Sequence, residues 1–481
     1  MAHLAKSSRG GIIVPGKRGS PAMTHALTAD LRRTIPAGQV LDTLEDRTLY
    51  AYDGTSAKAL PDVVVIAPSR EAVAAVLAFA SAHEVPVVPR GAGTGLSGGS
   101  VPARGGIALV LAAMRQIKEI DAGSMLVVCQ PGVVTGELQK TVEEAGFFYP
   151  PDPASLNYCT IGGNVAENAG GPRAVKYGVT KDYVLGLEVV RATGEIVRLG
   201  GKQVKNVTGY NLVQLFVGSE GTLGVITEMI LRLLPRPAAK KTMLAIFDRL
   251  EDAADAVAAV MAGGVTPTTL EIMDKTCINC VEDYLRLGLP RDAEAFLIVE
   301  VDGMPTAVDA EAGVITSICQ EKGVRSFQTA RDQKEADTLW KARRAVSPAI
   351  SQVRRAKIGE DISVPRSAIP AMVREIQRIS REQDLPIAIF GHAGDGNLHP
   401  NILADRRDPV EMERVEKAIA AIFEASVGLG GTLSGEHGIG LSKKPFLRLA
   451  LSPEAIKLME DVKRAMDPRG ILNPGKIFGG A

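Results

Sequence analysis

An α+β protein built in two parts is what the sequence predicts, on three observations. Residues 62–237 read as short β-rich runs separated by glycine loops, whereas the chain beyond residue 241 alternates strand and helix at a longer rhythm. Between them lies LRLLPRPAAKK (231–241), proline-rich and basic, which marks a boundary. The third observation is a glycine surplus, 50 of 481 residues, about 10% against a usual 7% or so. No G-X-Y period appears, so collagen is excluded and the surplus must sit in particular loops. The 481 residues allow roughly three average domains or two larger ones.

The 55 basic and 55 acidic side chains cancel, which removes any electrostatic reason to expect nucleic acid or an anionic membrane as a bulk partner. Apolar residues make up 46%, enough for a sizeable core. No apolar run approaches the roughly 18 residues of a membrane span.

Residues 1–29 carry Lys6, Arg9, Lys17 and Arg18 and no acid. They read as a disordered lead, or as lying upstream of the true start, with Met23 the expected initiator. The first domain, 30–237, holds strands near 63–67, 106–111, 125–130, 183–191 and 195–199. It also holds a helix, Arg70–His83, with Ser69 as N-cap and Val73, Val76, Leu77 and Ala80 on one face. The second domain, 238–440, reads as strand 243–247, helix 251–262, strand 296–301, helix 307–321, helix 334–352, strand 361–364 and helix 368–383. That order predicts an antiparallel or mixed sheet with helices on one face. Helix Pro409–Gly428 precedes the glycine-rich 430–440, and helix Pro453–Met466 leads into the tail DPRGILNPGKIF. The five cysteines are odd in number and scattered. Cys277 and Cys280 form a C-x-x-C with no second pair to complete a zinc site, so they read as core residues in a reducing cytoplasm.

The glycines cluster three times. In PRGAGTGLSGG, Gly93, Gly95 and Gly98 match G-x-G-x-x-G, but Gly99, Ser100, Val101 and Pro102 follow, so no helix opens there and the Rossmann reading fails. A P-loop fails as well, since no Gly-Lys-Ser/Thr closes the motif. What remains is a nest of backbone N–H groups behind Arg90, able to bind a pyrophosphate without a helix dipole; the competing reading is a plain surface loop. The second cluster, PDPASLNYCTIGGNVAENAGG, starts at Pro151 and offers Ser155, Thr160, Asn164 and Asn168 to a heterocycle's edge. The third is VGSEGTLGVITE. Three such clusters in one β-rich domain imply one large, planar, phosphate-bearing ligand.

Taken in order, PRGAGTGLSGG, PDPASLNYCTIGGNVAENAGG, KYGVTKDYVLGLEVV, KNVTGYNL and SEGTLGVITE resemble the FAD-binding domain of the vanillyl-alcohol-oxidase/PCMH flavoprotein family. With the later GHAGDGNLH and GEHG, the resemblance points to the branch that holds the D-type subunit of glycolate oxidase and FAD-linked D-lactate dehydrogenase. It implies a PCMH-type FAD-binding domain, an α+β cap domain with an antiparallel sheet, and a tail, 441–481, returning to the FAD domain. It implies that Arg90, Gly91, Ala92, Gly93, Thr94, Gly95, Leu96, Ser97 and Gly98 cradle the pyrophosphate. Pro151, Asp152, Ser155, Thr160, Gly162, Gly163, Asn164, Asn168, Gly170 and Gly171 would lie along the isoalloxazine and ribityl chain. Glu220, Gly221, Gly224 and Ile226 would hold the adenine and pyrophosphate side. Some relatives attach flavin through a loop histidine; none lies between His83 and His392 here, so non-covalent FAD is expected.

GHAGDGNLHPN carries His392 and His399, and GEHGIG carries Glu436 and His437. Two imidazoles and a carboxylate form a common ligand set for a divalent transition metal with open positions; two core histidines in a tight turn is the competing reading. If Glu436–His437 is extended, the two side chains face opposite sides, one to a metal and one to the flavin. Asp395 and Asn397 suit turns. The resemblance implies that His392, His399 and Glu436 bind a divalent metal (Zn, Mn or Fe) and that His437 is the base. Flavin oxidation of a 2-hydroxy acid moves a hydride to N5, while the protein orients the substrate and takes the hydroxyl proton. The substrate carboxylate calls for a cation. The resemblance points to Arg343, since members of the branch that act on larger hydroxy acids carry a matching arginine and a hydroxyl residue four positions on, here Ser347; Arg344 and Arg354 are rivals, and solvated helix charges are the competing reading for all three. Lys357 lies four residues before Asp361, where relatives acting on hydroxyglutarate place it two before; the departure favours a small acid, D-lactate or glycolate.

These readings predict a cytoplasmic FAD-dependent D-2-hydroxy-acid dehydrogenase or oxidase, peripheral at a membrane only through a partner. Electrons would pass to an electron-transferring flavoprotein, quinone, cytochrome or iron–sulfur subunit, and a homodimer is implied by the resemblance. The alternatives are D-2-hydroxyglutarate as substrate, activity only inside a multi-subunit glycolate oxidase complex, and a non-oxidative use of the fold as in alkyl-glycerone-phosphate synthase.

Overall fold

The structure, a computed structural model, describes residues 21–35 and 39–478. Most of the expected lead, residues 1–20, lies outside them. Residues 21–29 are not disordered as expected but belong to a helix, Pro21–Thr34. The reason is burial: Leu31 is fully enclosed and joins the core around Val73, Val76 and Leu77.

The first domain combines two sheets. In the smaller, strands Val40–Leu41, Val63–Ile66, Ile107–Val110 and Val87–Arg90 lie in that spatial order, the last three parallel. Helix Arg70–His83 packs on it; the Ser69 hydroxyl accepts from the Ala72 N–H, and Val73, Val76, Leu77 and Ala80 are buried, as their spacing requires. The larger sheet is antiparallel, in the order Ile117–Asp121, Leu126–Cys129, Val225–Arg232, Val184–Val190, Ile196–Gly200. The glycine loops lie beyond the strand ends.

The second domain is one eight-stranded sheet, antiparallel throughout. Its alternation partitions two cores. Met243, Ala245, Phe247, Leu297 and Val299 face helices Leu250–Ala262, Pro305–Glu321, Ile369–Gln383 and Pro409–Gly428. Leu244, Ile246, Phe296 and Ile298 face Lys275–Leu285 and Val346–Ile350. Helices therefore cover both faces, not the one expected. Cys277 and Cys280 are free and buried in the second core. The helix expected over 334–352 divides into Gln333–Arg344 and Val346–Ile350, because Pro348 has no N–H for the carbonyl four residues earlier.

Lys176 and Tyr177 help to tie the domains. The Lys176 ammonium donates to the Asp302 carbonyl (2.5 Å) and carboxylate (2.6 Å), and the Tyr177 hydroxyl donates to the same carboxylate. The tail returns to the first domain as expected: the Val87 N–H bonds the Ile471 carbonyl at 2.8 Å and the Asn473 N–H bonds the Val87 carbonyl at 2.7 Å. Leu472 is fully buried beside them. Leu472→Ala should cost about 3 kcal/mol, read as a lower urea midpoint at unchanged m; an unchanged midpoint would show the tail to be only laid on the surface. Among the described residues, no helix is long and apolar enough to cross a membrane.

Candidate active site

The glycine clusters and the histidine loop converge on one open cleft with about 1260 Å³ of empty space. Arg90, Gly91, Ala92, Gly93, Thr94, Gly95 and Leu96 line one wall, and Ser155, Thr160, Gly162, Gly163 and Asn164 another. Glu220, Gly221, Gly224 and Ile226 close the far side, and Glu436 and His437 reach in from the second domain. Gly93 has φ +72°, and a Cβ there would strike the Arg90 guanidinium, so only glycine fits. That guanidinium is itself committed to the loop, donating to the Tyr52 carbonyl (2.5 Å) and the Ser100 hydroxyl (3.3 Å).

Seven expected cofactor residues support the cleft without lining it. The Ser97 carbonyl accepts from the Leu441 and Ser442 N–H groups, and Gly98 packs on the Leu441 side chain. The Pro151 carbonyl accepts from Gln139 Nε2. Asp152 accepts from the Arg173 N–H and pairs with its guanidinium, and burial lifts its carboxyl to about 6. Asn168 ends helix Ile161–Glu167 in a left-handed conformation and accepts from the Lys181 N–H. Gly170 leaves room for the Glu436 carboxylate, and Gly171 for the Asp152 carbonyl. Asn164, though in the wall, gives its amide to Thr135 at 2.7 Å, and Glu220 spends its carboxylate on the Ile439 and Gly440 N–H groups, both at 2.8 Å.

The histidines come together through a hairpin. Strand Ile387–His392 turns through Ala393–Asp395 into Asn397–Ala404, in a register that opposes His392 to Asn397 and Phe390 to His399. Alternation then sets His392 and His399 on the same face, one diagonal apart. His392 Nε2 and His399 Nε2 each lie 3.5 Å from Glu436 Oε1. The other ring nitrogen of His392 bonds the Glu271 carboxylate at 2.8 and 2.9 Å, leaving its Nε2 buried with no hydrogen-bond partner. A histidine oriented by a carboxylate on one nitrogen and open on the other is the usual arrangement of a metal ligand, so the three donors fit a divalent ion. Against burial, Glu271 and Glu436 raise His392 well above its ordinary value, while burial and His392 lower His399 to about 3.

The segment 434–437 is bent rather than extended, because its amides turn inward. Asp361 Oδ2 accepts from the N–H groups of Gly435 (3.0 Å), Glu436 (3.1 Å) and His437 (3.0 Å), from the Ser434 hydroxyl (2.7 Å) and from Lys443 Nζ (3.2 Å). Glu436 and His437 therefore face the cleft together, with His437 Nε2 3.9 Å from Glu436 Oε1 and its ring stacked on His399 at 5.4 Å. Burial lowers His437 below the ordinary imidazole value, despite Asp361 beside it.

Arg343 is not a free cation in the cleft. Its Nε donates to Glu271 at 2.6 Å, and its guanidinium lies 4.9 Å over the Phe390 ring. A fully buried glutamate needs such a partner. Arg343 Nη2 is 2.6 Å from the same carboxylate oxygen but off the hydrogen-bonding direction, so that donor stays without a directed partner. Lys357 donates to Ser347 at 2.5 Å. Sequence reasoning missed Glu271, Asp361, Lys443 and Glu167. Only Glu271 left a signal, an acid inside the apolar strand Thr269–Asp274.

A glycine-walled cleft for a long phosphate-bearing ligand, with histidines and a carboxylate at one end, defines a two-domain cofactor-dependent oxidoreductase. The chain belongs to the FAD-linked oxidases: their C-terminal domain family matches residues 236–477, and an FAD-binding domain family matches 61–200. It is 47% identical to a glycolate oxidase subunit of Bacillus subtilis (strain 168), over 91% of this chain and 93% of that protein. It is 38% identical to a D-lactate dehydrogenase of Anaerostipes hadrus, over 87% of this chain and 90% of that one. The solved structure of p-cresol methylhydroxylase with substrate bound shares the fold, with TM-score 0.79 at 20% identity over 96% of this chain and 98% of that one. The chain is thus an FAD-dependent oxidoreductase with a PCMH-type domain, as its motifs implied.

Proposed function

We propose that this protein oxidises a small D-2-hydroxy acid, D-lactate or glycolate, to the 2-oxo acid. The observation that carries the reading is the convergence of His392, His399 and Glu436 next to His437, at the mouth of the cofactor cleft. In this reading His437 takes the substrate hydroxyl proton, and Arg343, ion-paired with Glu271, steadies the carboxylate that orients His392. The second domain brings Glu436 and His437 to the reacting end. When bound, FAD accepts the hydride. A divalent ion held by His392, His399 and Glu436, of the Zn, Mn or Fe type, would supply Lewis acidity at the hydroxyl oxygen. The Bacillus relative is named a subunit, and we take this chain likewise to work with an electron-accepting partner.

Anaerobic mixing of the purified holoprotein with D-lactate, glycolate and D-2-hydroxyglutarate tests the substrate. Flavin absorbance should bleach with one of the first two; bleaching with none of the three rejects the substrate class, and bleaching with hydroxyglutarate alone rejects the small acid. Complete metal removal should slow bleaching by about 100-fold or more, with recovery on adding Zn, Mn or Fe salts. His399→Ala should bind less than one metal equivalent by elemental analysis. Full activity of the metal-free protein would remove the ion from the reaction.

A further inference from the structure

Of the acids in the cleft wall, Glu436 belongs to the proposed metal set and Glu220 holds the Ile439 and Gly440 N–H groups, whereas Glu167 has neither role. It closes helix Ile161–Glu167, and its carboxyl is wedged between two loops. A Cβ on Gly99 would stand 2.8 Å from its Oε1, and one on Gly438 would run into its Oε2. It therefore stands where the glycine nest ends and the segment after His437 begins. Its Oε2 is buried with no hydrogen-bond partner, and among the described residues no cation lies within ion-pair distance of it.

Another carboxylate, that of Glu220, stands beside it, since a Cβ on Gly438 would meet both. Burial raises Glu220, but the Ile439 and Gly440 N–H groups that it receives pull the other way. Glu167 receives neither, and two buried carboxyls at close quarters do not both ionise. Burial first, then Glu220 and Asp53, push Glu167 well above the ordinary carboxylate range; only Lys476 acts the other way. The Lys476 ammonium already donates to the Val101 carbonyl and the Asn473 side chain. A neutral carboxyl carries one O–H donor that needs an acceptor, and Glu167 Oε2 has no hydrogen-bond partner among the described residues.

We propose that Glu167 is a cofactor-contacting neutral acid, whose hydroxyl donates a hydrogen bond to an acceptor atom of the bound flavin beside His437. The proposal rests on FAD occupying this cleft, and makes the seventh residue of helix Ile161–Glu167 part of the flavin site.

Reconstitution of the full-length apoprotein with FAD tests it. Glu167→Gln keeps a donor of the same shape and should bind FAD within about 3-fold of the parent. Glu167→Ala should bind about 10-fold more weakly, as expected for the loss of one hydrogen bond, with a shifted flavin midpoint potential. Infrared difference spectra of the parent should show a protonated-carboxyl band that moves when FAD is added and is missing in Glu167→Gln. Unchanged affinity and potential in Glu167→Ala would overturn the proposal. Should that variant fail to fold, a carboxyl band indifferent to FAD, or one persisting in Glu167→Gln, overturns it equally. Failure of the parent apoprotein to take up FAD would instead reject the cleft as the flavin site.

Discussion

His437→Ala should retain FAD and reduce it about 10³-fold more slowly with D-lactate or glycolate, within the range usual for loss of a general base. The clean separation of binding from chemistry follows from how the loop is held. Asp361 grips 435–437 through main-chain N–H groups, and alanine keeps all of them. Glu220 fixes Ile439 and Gly440 the same way. Truncation therefore removes an imidazole from the cleft without releasing the loop. The loss should fall on kcat more than on KM, since the proton moves only in the transition state. Stopped-flow bleaching of the reconstituted variant reads the rate, and its absorption spectrum reads FAD content. A rate within tenfold of the parent would take the base role from His437. Loss of FAD would mean that the ring props the cofactor rather than serving the substrate.

How much of this was legible beforehand depended on whether the cause was local. Helix Arg70–His83 was readable to the residue because its cap, its apolar stripe and its exposed face all lie within one stretch. His392 and His399 were readable as a pair because a hairpin brings seven-residue neighbours onto one face. The glycine clusters were readable as the walls of one cleft, but not glycine by glycine. Gly93 faces the cleft while Gly98 makes room for Leu441 and Gly171 for the Asp152 carbonyl, and a missing Cβ does not say what it makes room for. Arg343 and Asp152 looked like free polar groups because their partners, Glu271 and Arg173, are brought to them only by the fold. The same holds for Asp361, whose donors come from 397, 434–437 and 443.

Asp361→Ala should therefore be among the most damaging single changes in the chain, costing about 3–5 kcal/mol, the usual loss when one member of a buried ion pair is removed. Asp361 is fully buried and Lys443 nearly so, with Nζ 3.2 Å from the carboxylate and 2.9 Å from the Asp361 carbonyl. Alanine leaves that ammonium without its counter-charge and frees three backbone donors, each of which costs something when buried and unpaired. Chemical denaturation would register the loss, and flavin bleaching would fall with it, since Glu436 and His437 no longer share one face. The acid limb of stability gives a second signature. Despite burial, Lys443, His437 and His399 hold the Asp361 carboxyl well below its ordinary value. A carboxyl depressed in the folded state contributes stability that is complete above its unfolded pKa of about 3.9 and is lost as pH falls toward the folded value. Asp361→Asn keeps acceptor and shape but not the charge, so it should be less stable than the parent at neutral pH and lose less on acidification. Parallel acid limbs for the two proteins, or an alanine variant within 1 kcal/mol or so of the parent, would mean that the loop bearing Glu436 and His437 is held by something other than this one carboxylate.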